Sequence, residues 1–198
     1  MNLSVSTPFI MNNKPQRRIF DDEEFRLSKI SYPDKIDEMG ALRVHAWKHE
    51  QGISQQFFSN STWIDEFDEN AHHWIITVKG HIVASARMSF HESYASIPHS
   101  ELFDEKELGI YNHGPFASIN RLVVDPDYRG KGFSSVLDEA RVDFARQQGI
   151  KVIIAQPIES RIRSLEELGF LLIGKIKPLY QMPERQLYFM VNDLSLNK

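Results

Sequence analysis

The stretch Val124-Asp125-Pro126-Asp127-Tyr128-Arg129-Gly130-Lys131-Gly132-Phe133 decides the fold of this chain. It follows an apolar run over 119–124, and it precedes a segment with helical periodicity over 132–148. Glycines between a strand and a helix let the backbone approach an anion, and the N–H groups of the first helical turn point at that anion. Arg129 and Lys131 add positive charge beside those donors. The stretch therefore predicts a site for a phosphorylated cofactor.

Two common phosphate-binding motifs do not fit this turn. A dinucleotide-binding fold needs a third glycine, where this chain has Ser135, and a P-loop needs Gly-Lys-Ser/Thr after a four-residue gap. The turn instead resembles the pyrophosphate loop of the GCN5-related N-acetyltransferases (GNAT), whose signature is Gln/Arg-x-x-Gly-x-Gly/Ala. The chain keeps Gly130 and Gly132 and has Asp127 at the Gln/Arg position.

A second motif, Arg163-Ser164-Leu165-Glu166-Glu167-Leu168-Gly169-Phe170, resembles the fourth helix of that family and its Leu-Gly-Phe ending. In this ending the glycine caps the helix before the next strand. The resemblance implies an α/β (α+β) GNAT fold, with a central, mixed but mostly antiparallel, twisted sheet flanked by helices. The pyrophosphate loop would follow the fourth strand. We expect one such domain over 24–198 and a polar N-terminal arm over 1–23.

Hydrophobic periodicity and turn residues predict the remaining elements. Strands are predicted over 25–30, 73–78, 82–90, 116–124, 151–155, 170–176 and 187–191. Helices are predicted from Pro33, over 132–148 and over 160–168, with a short helix within 62–71 and a long connection over 93–111.

Composition narrows the class of protein. The chain has 198 residues, 41% of them hydrophobic and 25% charged, which suits one globular domain. A net charge of -4 does not predict nucleic-acid binding, and the absence of cysteine excludes disulfides and thiolate chemistry. The sequence has no apolar run of membrane-spanning length and no secretory signal pattern, so we expect a cytoplasmic protein with no membrane partner. A homodimer is left open.

The resemblance also implies a cofactor and a class of substrate. Acetyl-CoA would be the co-substrate and the amine of a small molecule the acceptor. The pantetheine arm would pair with the backbone of the fourth strand, where one N–H would stabilise the oxyanion. The residues expected to bind the cofactor are Leu122, Val123, Val124, Arg129, Gly130, Lys131, Gly132, Phe133 and Ser134.

The proton chemistry departs from the family pattern. Ser118 stands where many members carry a glutamate, and Leu165 where many carry a tyrosine that acts as the acid. The candidate catalytic residues are therefore Glu50, His73 and Ser118, and the alternative acids are Tyr180 and Tyr188. Glu50 is the first choice for an acceptor-side role, because it follows the first helix. His72 and His73 are neighbours on a strand and point to opposite faces, so we expect no metal site.

Two arginines lie inside predicted strands, Arg87 and Arg121. A buried guanidinium needs a partner, and we predict that Arg121 is buried and pairs with an acidic residue of the region 50–68. The spacing Arg43…Glu50-Gln51…Asp65-x-x-Asp68…His73, followed by Arg87, loosely resembles a branch that contains acyl-homoserine-lactone and N-acyl-amino-acid synthases, in which such residues line the acceptor side. A structural network of ion pairs explains them equally well.

The sequence thus predicts an N-acyltransferase that moves an acetyl or other acyl group from acyl-CoA to the amine of a small molecule. Two alternatives stay open. One is a degenerate acetyltransferase fold that binds CoA as a sensor module. The other is a synthase whose donor is an acyl carrier protein.

Overall fold

A computed structural model of the chain describes residues 25–50, 60–179 and 183–196. A seven-stranded sheet in the order β1-β2-β3-β4-β5-β7-β6 runs through these residues. Its strands are β1 (Phe25–Ile30), β2 (His72–Val78), β3 (His81–His91), β4 (Phe116–Val124), β5 (Val152–Ala155), β6 (Leu171–Ile176) and β7 (Leu187–Asp193). The β4–β5 pair is parallel and the other pairs of this sheet are antiparallel, which confirms the predicted mixed sheet.

Helices cover both faces of the sheet. They are α1 (Ile36–Lys48), α2 (Glu105–Leu108), α3 (Phe133–Gln147) and α4 (Glu159–Glu166). The predicted apolar face of α3 is buried, and its side chains join those of β2, β3 and β4 in one core cluster. A second cluster on the opposite face packs the connection between β3 and β4 against β5 and β7. The alternation of β4 divides its side chains between the two clusters, because Phe116 belongs to the second and Ala117 to the first.

Two predictions of local structure differ from the structure. The short helix predicted within 62–71 is a 3-10 turn over Glu66–Asp68, because the carboxylates of Asp65 and Asp68 cap the turn and also bind arginines. The connection over 93–111 contains α2 and three 3-10 turns, held by the buried side chains of Ile97, Phe103 and Leu108. The arm predicted over 1–23 and the alternative acid Tyr180 lie outside the described residues.

Two irregularities of β4 position the site. Arg87 pairs with Asn120 and Ser85 pairs with Val123, so two residues of β4 oppose one residue of β3 in a bulge. Within this bulge Arg121 has a φ of 51°, the left-handed region that residues other than glycine rarely adopt. Pairing between β4 and β5 ends at Ile119, opposite Ala155. Beyond this point the two strands separate, and the edge of β4 that faced β5 borders a cavity.

Candidate active site

The cavity between the separated strands has a volume of about 610 Å³. It extends from the glycine turn that follows β4, past the exposed edge of β4, to the end of α1 and the segment after β5. Every predicted cofactor residue except Lys131 lines it. The Lys131 Nζ instead lies 4.8 Å from the centre of the Tyr128 ring. Eight of the nine residues predicted to bind the cofactor therefore border the same cavity.

The glycine turn is shaped by backbone conformation. Gly130 and Gly132 have φ values of 77° and 80°, which side chains with a Cβ rarely adopt. Gly132 is also the N-cap of α3, so the first turn of that helix begins at the cavity without a capping side chain above it. A Cβ at Gly130 would meet no atom within 4 Å. The requirement for glycine there is conformational and not steric.

Glu50 connects the turn to the end of α1. Its carboxylate lies 2.9 Å from Nη2 of Arg129 and 3.4 Å from Nη2 of Arg185. The same Arg129 nitrogen donates a hydrogen bond to the Ala46 carbonyl at 3.1 Å. Glu50 thus lines the cavity, and two guanidinium groups share its carboxylate. In this arrangement it links Arg129 of the glycine turn to Arg185 of the segment before β7.

Two tryptophans form a wall that the sequence reasoning did not single out. Trp47 and Trp63 meet edge to face with ring centres 5.3 Å apart. Arg121 lies 3.8 Å from the centre of the Trp63 ring, and Arg185 lies 4.8 Å from that of Trp47. Such cation–π contacts hold both the ring and the guanidinium in place. These pairs join residues that are distant in sequence, so no local pattern predicts them.

The position of Trp63 depends on a glycine of α1. The Trp63 N–H donates to the Gly40 carbonyl at 3.0 Å. A Cβ on Gly40 would lie 3.0 Å from Cγ1 of Ile64 and 3.1 Å from Cβ of Thr62. The glycine therefore allows the segment that carries the tryptophan to lie directly against the helix.

Behind this wall lies a network of ion pairs that is buried at Asp68 and partly buried at Asp65. Arg121 donates to Asp65 at 2.5 Å, which confirms the predicted pairing with an acidic residue of the region 50–68, but its side chain is 16% exposed and so is not buried as predicted. Arg87 binds both Asp65 and Asp68, and Arg43 binds Asp68 through two hydrogen bonds of 2.8 and 2.9 Å. Burial alone would raise the pKa of Asp68, but Arg43 outweighs it and holds that pKa at about 2.

A second group of charges lies on the α3 side of the cavity. The guanidinium of Arg141 is fully buried and donates to the Arg87 carbonyl at 2.9 Å and the Asn120 carbonyl at 3.3 Å, both beside the bulge. Asp138 is ion-paired with Arg141 and with Arg161 of α4. Asp138 and Arg161 line the cavity. Helix α3 therefore contacts β4 through Arg141 and α4 through Asp138.

The structure does not bring all the predicted catalytic residues together. Ser118 lines the cavity, whereas the buried ring of His73 lies outside the lining with Nε2 2.8 Å from the Asp68 carbonyl. Burial lowers the pKa of His73. Leu165 lines the cavity and offers no proton, and Tyr188 is buried outside the lining. Of the three candidates, Glu50 and Ser118 are at the site.

Within residues 25–50, 60–179 and 183–196, no three His, Cys, Asp or Glu side chains lie close enough together to hold a metal ion. No helix of the same part of the chain combines the length and apolarity needed to cross a membrane.

Comparison with known proteins agrees with this geometry. The model of the acetyltransferase (GNAT) family matches residues 34–170, which is more than half of the chain. The chain belongs to this family. No curated protein matches it in sequence.

Solved structures resemble this GNAT domain in fold. The N-acyl amino acid synthase FeeM from uncultured soil microbes superposes with a TM-score of 0.69 at 13% identity, covering 88% of this chain and 93% of that one. The acyl-homoserine-lactone synthase LasI gives 0.63 at 14% identity, with 87% and 90% covered. The polyamine N-acetyltransferase of Drosophila melanogaster gives 0.62 at 15% identity, with 86% and 100% covered. The expected likeness to the synthase-containing branch is present at the level of fold.

Proposed function

We propose that this GNAT protein is an N-acyltransferase that moves an acetyl or other acyl group from acyl-CoA to the amine of a small molecule. The observation that carries the proposal is the separation of β4 from β5 beyond Ile119, directly beside the glycine turn. A strand edge with unpaired backbone groups and a helix N-terminus then border the same cavity. These are the two features that a long phosphorylated thioester requires.

The donor would lie along β4. The turn from Gly130 to Ser134 would hold the pyrophosphate, and the backbone of Leu122 to Val124 would pair with the pantetheine arm. The thioester carbonyl would then reach the bulge, where a backbone N–H is the oxyanion donor. Such a fixed donor stabilises the charge of the tetrahedral intermediate without any rearrangement during the reaction.

The acceptor would enter at the tryptophan wall. Arg129 and Arg185 share the one carboxylate of Glu50, so a positive charge remains at this end of the cavity. That charge favours an amine that also carries a carboxylate, such as an amino acid, over a polyamine. The flat faces of Trp47 and Trp63 would contact the apolar part of such a molecule.

A longer acyl group is the second candidate for the donor. The lining around and after β5 includes the apolar residues Ile154, Pro157, Ile158, Leu179 and Leu187, beside the polar residues Gln156, Ser160 and Arg161. A fatty acyl chain would bury its methylenes there, at roughly 0.8 kcal/mol each. These apolar residues are the reason to test acyl donors beyond acetyl, including an acyl carrier protein.

The test is a thiol-release assay with acetyl-CoA, octanoyl-CoA and octanoyl-acyl carrier protein against a panel of amino acids and polyamines. We expect release with a CoA donor and an amino acid, and mass spectrometry should show the N-acyl product. Calorimetry with the same donors separates the alternatives. Tight acetyl-CoA binding without thiol release for any acceptor would contradict the enzyme and favour the sensor module.

We also propose that the enzyme is cytoplasmic. A homodimer is the proposed assembly, and light scattering after size-exclusion chromatography would detect it.

A further inference from the structure

Behind Ser118 lies a histidine that the sequence reasoning did not use. Nε2 of His91 is 2.9 Å from the Ser118 hydroxyl. Ser118 lines the cavity and His91 does not, so of the two residues the serine is the one that borders the cavity. The register of β3 and β4 explains the contact, because Ser89 lies opposite Ser118 and His91 is two residues further along the same face. Both side chains are buried.

The tautomer of the ring decides the direction of this hydrogen bond. Burial lowers the pKa of His91 to about 4, so the ring is neutral at pH 7 and has one donor and one acceptor. In the tautomer that carries its proton on Nδ1, Nε2 accepts the proton of the Ser118 hydroxyl.

Asn120 completes the orientation of the hydroxyl. Its Oδ1 accepts from Nε of Arg87 at 2.6 Å, which fixes the amide, and its Nδ2 donates to Ser118 Oγ at 3.3 Å. Ser118 Oγ therefore accepts from Asn120, and in the Nδ1-protonated tautomer of His91 it donates to Nε2. A hydroxyl oxygen accepts two hydrogen bonds, so the remaining lone pair is what Ser118 offers to a molecule in the cavity. The natural partner of that lone pair is an N–H.

We propose that His91 works through Ser118 to receive the proton that the acceptor amine loses during acyl transfer, an inference that rests on the proposed function. The amine enters neutral, and its lone pair forms the C–N bond while the carbonyl π electrons move to oxygen. The proton on nitrogen passes to Ser118 Oγ as the hydroxyl proton passes to Nε2 of His91. When the carbonyl re-forms, the C–S bond breaks, and the proton returns through Ser118 to the thiolate sulfur.

This arrangement gives a chemical role to the departure from the family pattern at position 118. A serine hydroxyl alone is a poor base at neutral pH. The neutral imidazole of His91 would act as the base in its place, although His91 does not itself line the cavity. Ser118 touches the acceptor in this scheme, whereas His91 acts through it as a positioning residue and a proton store.

The hydrogen-bond directions can be tested without a substrate. Nitrogen-15 NMR of the histidine rings at pH 7, assigned by comparison with H91Q, should show His91 as the neutral tautomer protonated at Nδ1. The S118A variant should shift the Nε2 signal and leave the Nδ1 signal in place. A ring protonated at Nε2 would overturn the relay, because it would then donate to Ser118.

The kinetic test is a double-mutant cycle with the acyl-CoA and amino acid that give thiol release. We expect S118A and H91Q each to lower kcat by about 10²-fold with KM for acyl-CoA within twofold, and the double variant to be no slower than the slower single variant. S89A is the matched control, since Ser89 is a buried serine of β3 whose hydroxyl has no hydrogen-bond partner among the described residues. Its kcat should be unchanged.

The outcomes separate the two proposals. If H91Q lowers kcat as much in the S118A background as in the wild type, or keeps full turnover, the relay is wrong and the acyltransferase stands. If the wild type binds acetyl-CoA and transfers nothing, the proposed function fails and the relay fails with it, whatever the tautomer. S118A removes one oxygen atom only, so it carries the kinetic test even where H91Q does not fold.

Discussion

The proposed donor end and the proposed acceptor end of the cavity are built by different means. The proposed donor end comes from one continuous stretch of chain, from Leu122 to Ser134, and its proposed contacts are the strand edge of β4 and the first turn of α3. The acceptor end is built from side chains of α1, the segment before β2, β3, β4 and the segment before β7, fixed by ion pairs and cation–π contacts. A site formed by backbone groups depends on the conformation of the chain, so it tolerates many side-chain substitutions. A site formed by side chains depends on the identity of each residue, so substitutions there can change which acceptor is bound.

The largest expected effect lies at the acceptor end. Asp68 is fully buried and binds Arg43 and Arg87. We expect D68N to lower the free energy of unfolding by about 3–5 kcal/mol, because it leaves buried guanidinium groups without their counter-charge. Urea unfolding followed by circular dichroism measures this. E38Q is the control, since Glu38 forms an exposed pair with Lys35 and should change stability little. A D68N protein as stable as the wild type would show that this end is not held by its charges.

Much of the fold, and the conformation of the glycine turn that borders the cavity, could be predicted from the sequence for one physical reason: their determinants are local. The strands Phe25–Ile30 and Phe116–Val124 have the predicted bounds, and α3 lies within the predicted 132–148. Hydrophobic periodicity and glycine conformation act over a few residues, so a single stretch contains the information.

The acceptor end could be predicted only in part, because its contacts join distant segments. The need of Arg121 for an acidic partner was evident from its place in a strand, and the partner is Asp65. The bulge that turns Arg121 toward Asp65 has no local signal, and neither has the contact between His91 and Ser118. These features follow from the register of β3 and β4, which the sequence alone does not give.

The second prediction uses the pH dependence of stability to distinguish the two ends. The acceptor side contains buried groups that titrate, whereas the backbone groups of the glycine turn do not. Burial lowers the pKa of His91 to about 4 from its ordinary 6.5. Below pH 6.5 the unfolded chain therefore binds a proton that the folded chain does not. Above pH 6.5 protonation of His91 takes nothing from the free energy of unfolding. As the pH falls from 6.5 toward 4, protonation of the unfolded chain lowers that free energy by on the order of 2–3 kcal/mol.

Urea unfolding of the wild type and H91Q at pH 7.0 and 4.5 measures this effect. We expect the loss on acidification to be smaller in H91Q, with S89A behaving as the wild type. An equal loss in all three proteins would place the acid sensitivity elsewhere, with His72 as the next candidate because burial lowers its pKa to about 4 as well.

The third prediction concerns the donor end. Gly132 has a φ of 80° as the N-cap of α3, and a β-branched residue there costs more than the roughly 1–2 kcal/mol that a left-handed residue usually costs. We expect G132V to weaken acetyl-CoA binding at least tenfold in calorimetry. K131A is the control, because Lys131 does not line the cavity, and its loss of affinity should be smaller. Unchanged affinity in G132V would remove the assignment of the turn to the pyrophosphate.

The smallest expected effect is at Glu50, where the two ends meet. The side chain is 31% exposed, and its ion pairs with Arg129 and Arg185 are partly screened by solvent. Such pairs contribute about 1 kcal/mol or less, so we expect E50Q to lower kcat/KM for the amino acid by about threefold to fivefold. Acetyl-CoA affinity should change by less than twofold, because Arg129 keeps its hydrogen bond to the Ala46 carbonyl. R185Q is the matched variant from the acceptor side, and it should raise KM for the amino acid without changing acetyl-CoA affinity. If E50Q instead weakens acetyl-CoA binding and leaves the acceptor kinetics intact, Glu50 belongs to the donor end, and the boundary between the two ends lies at Arg185.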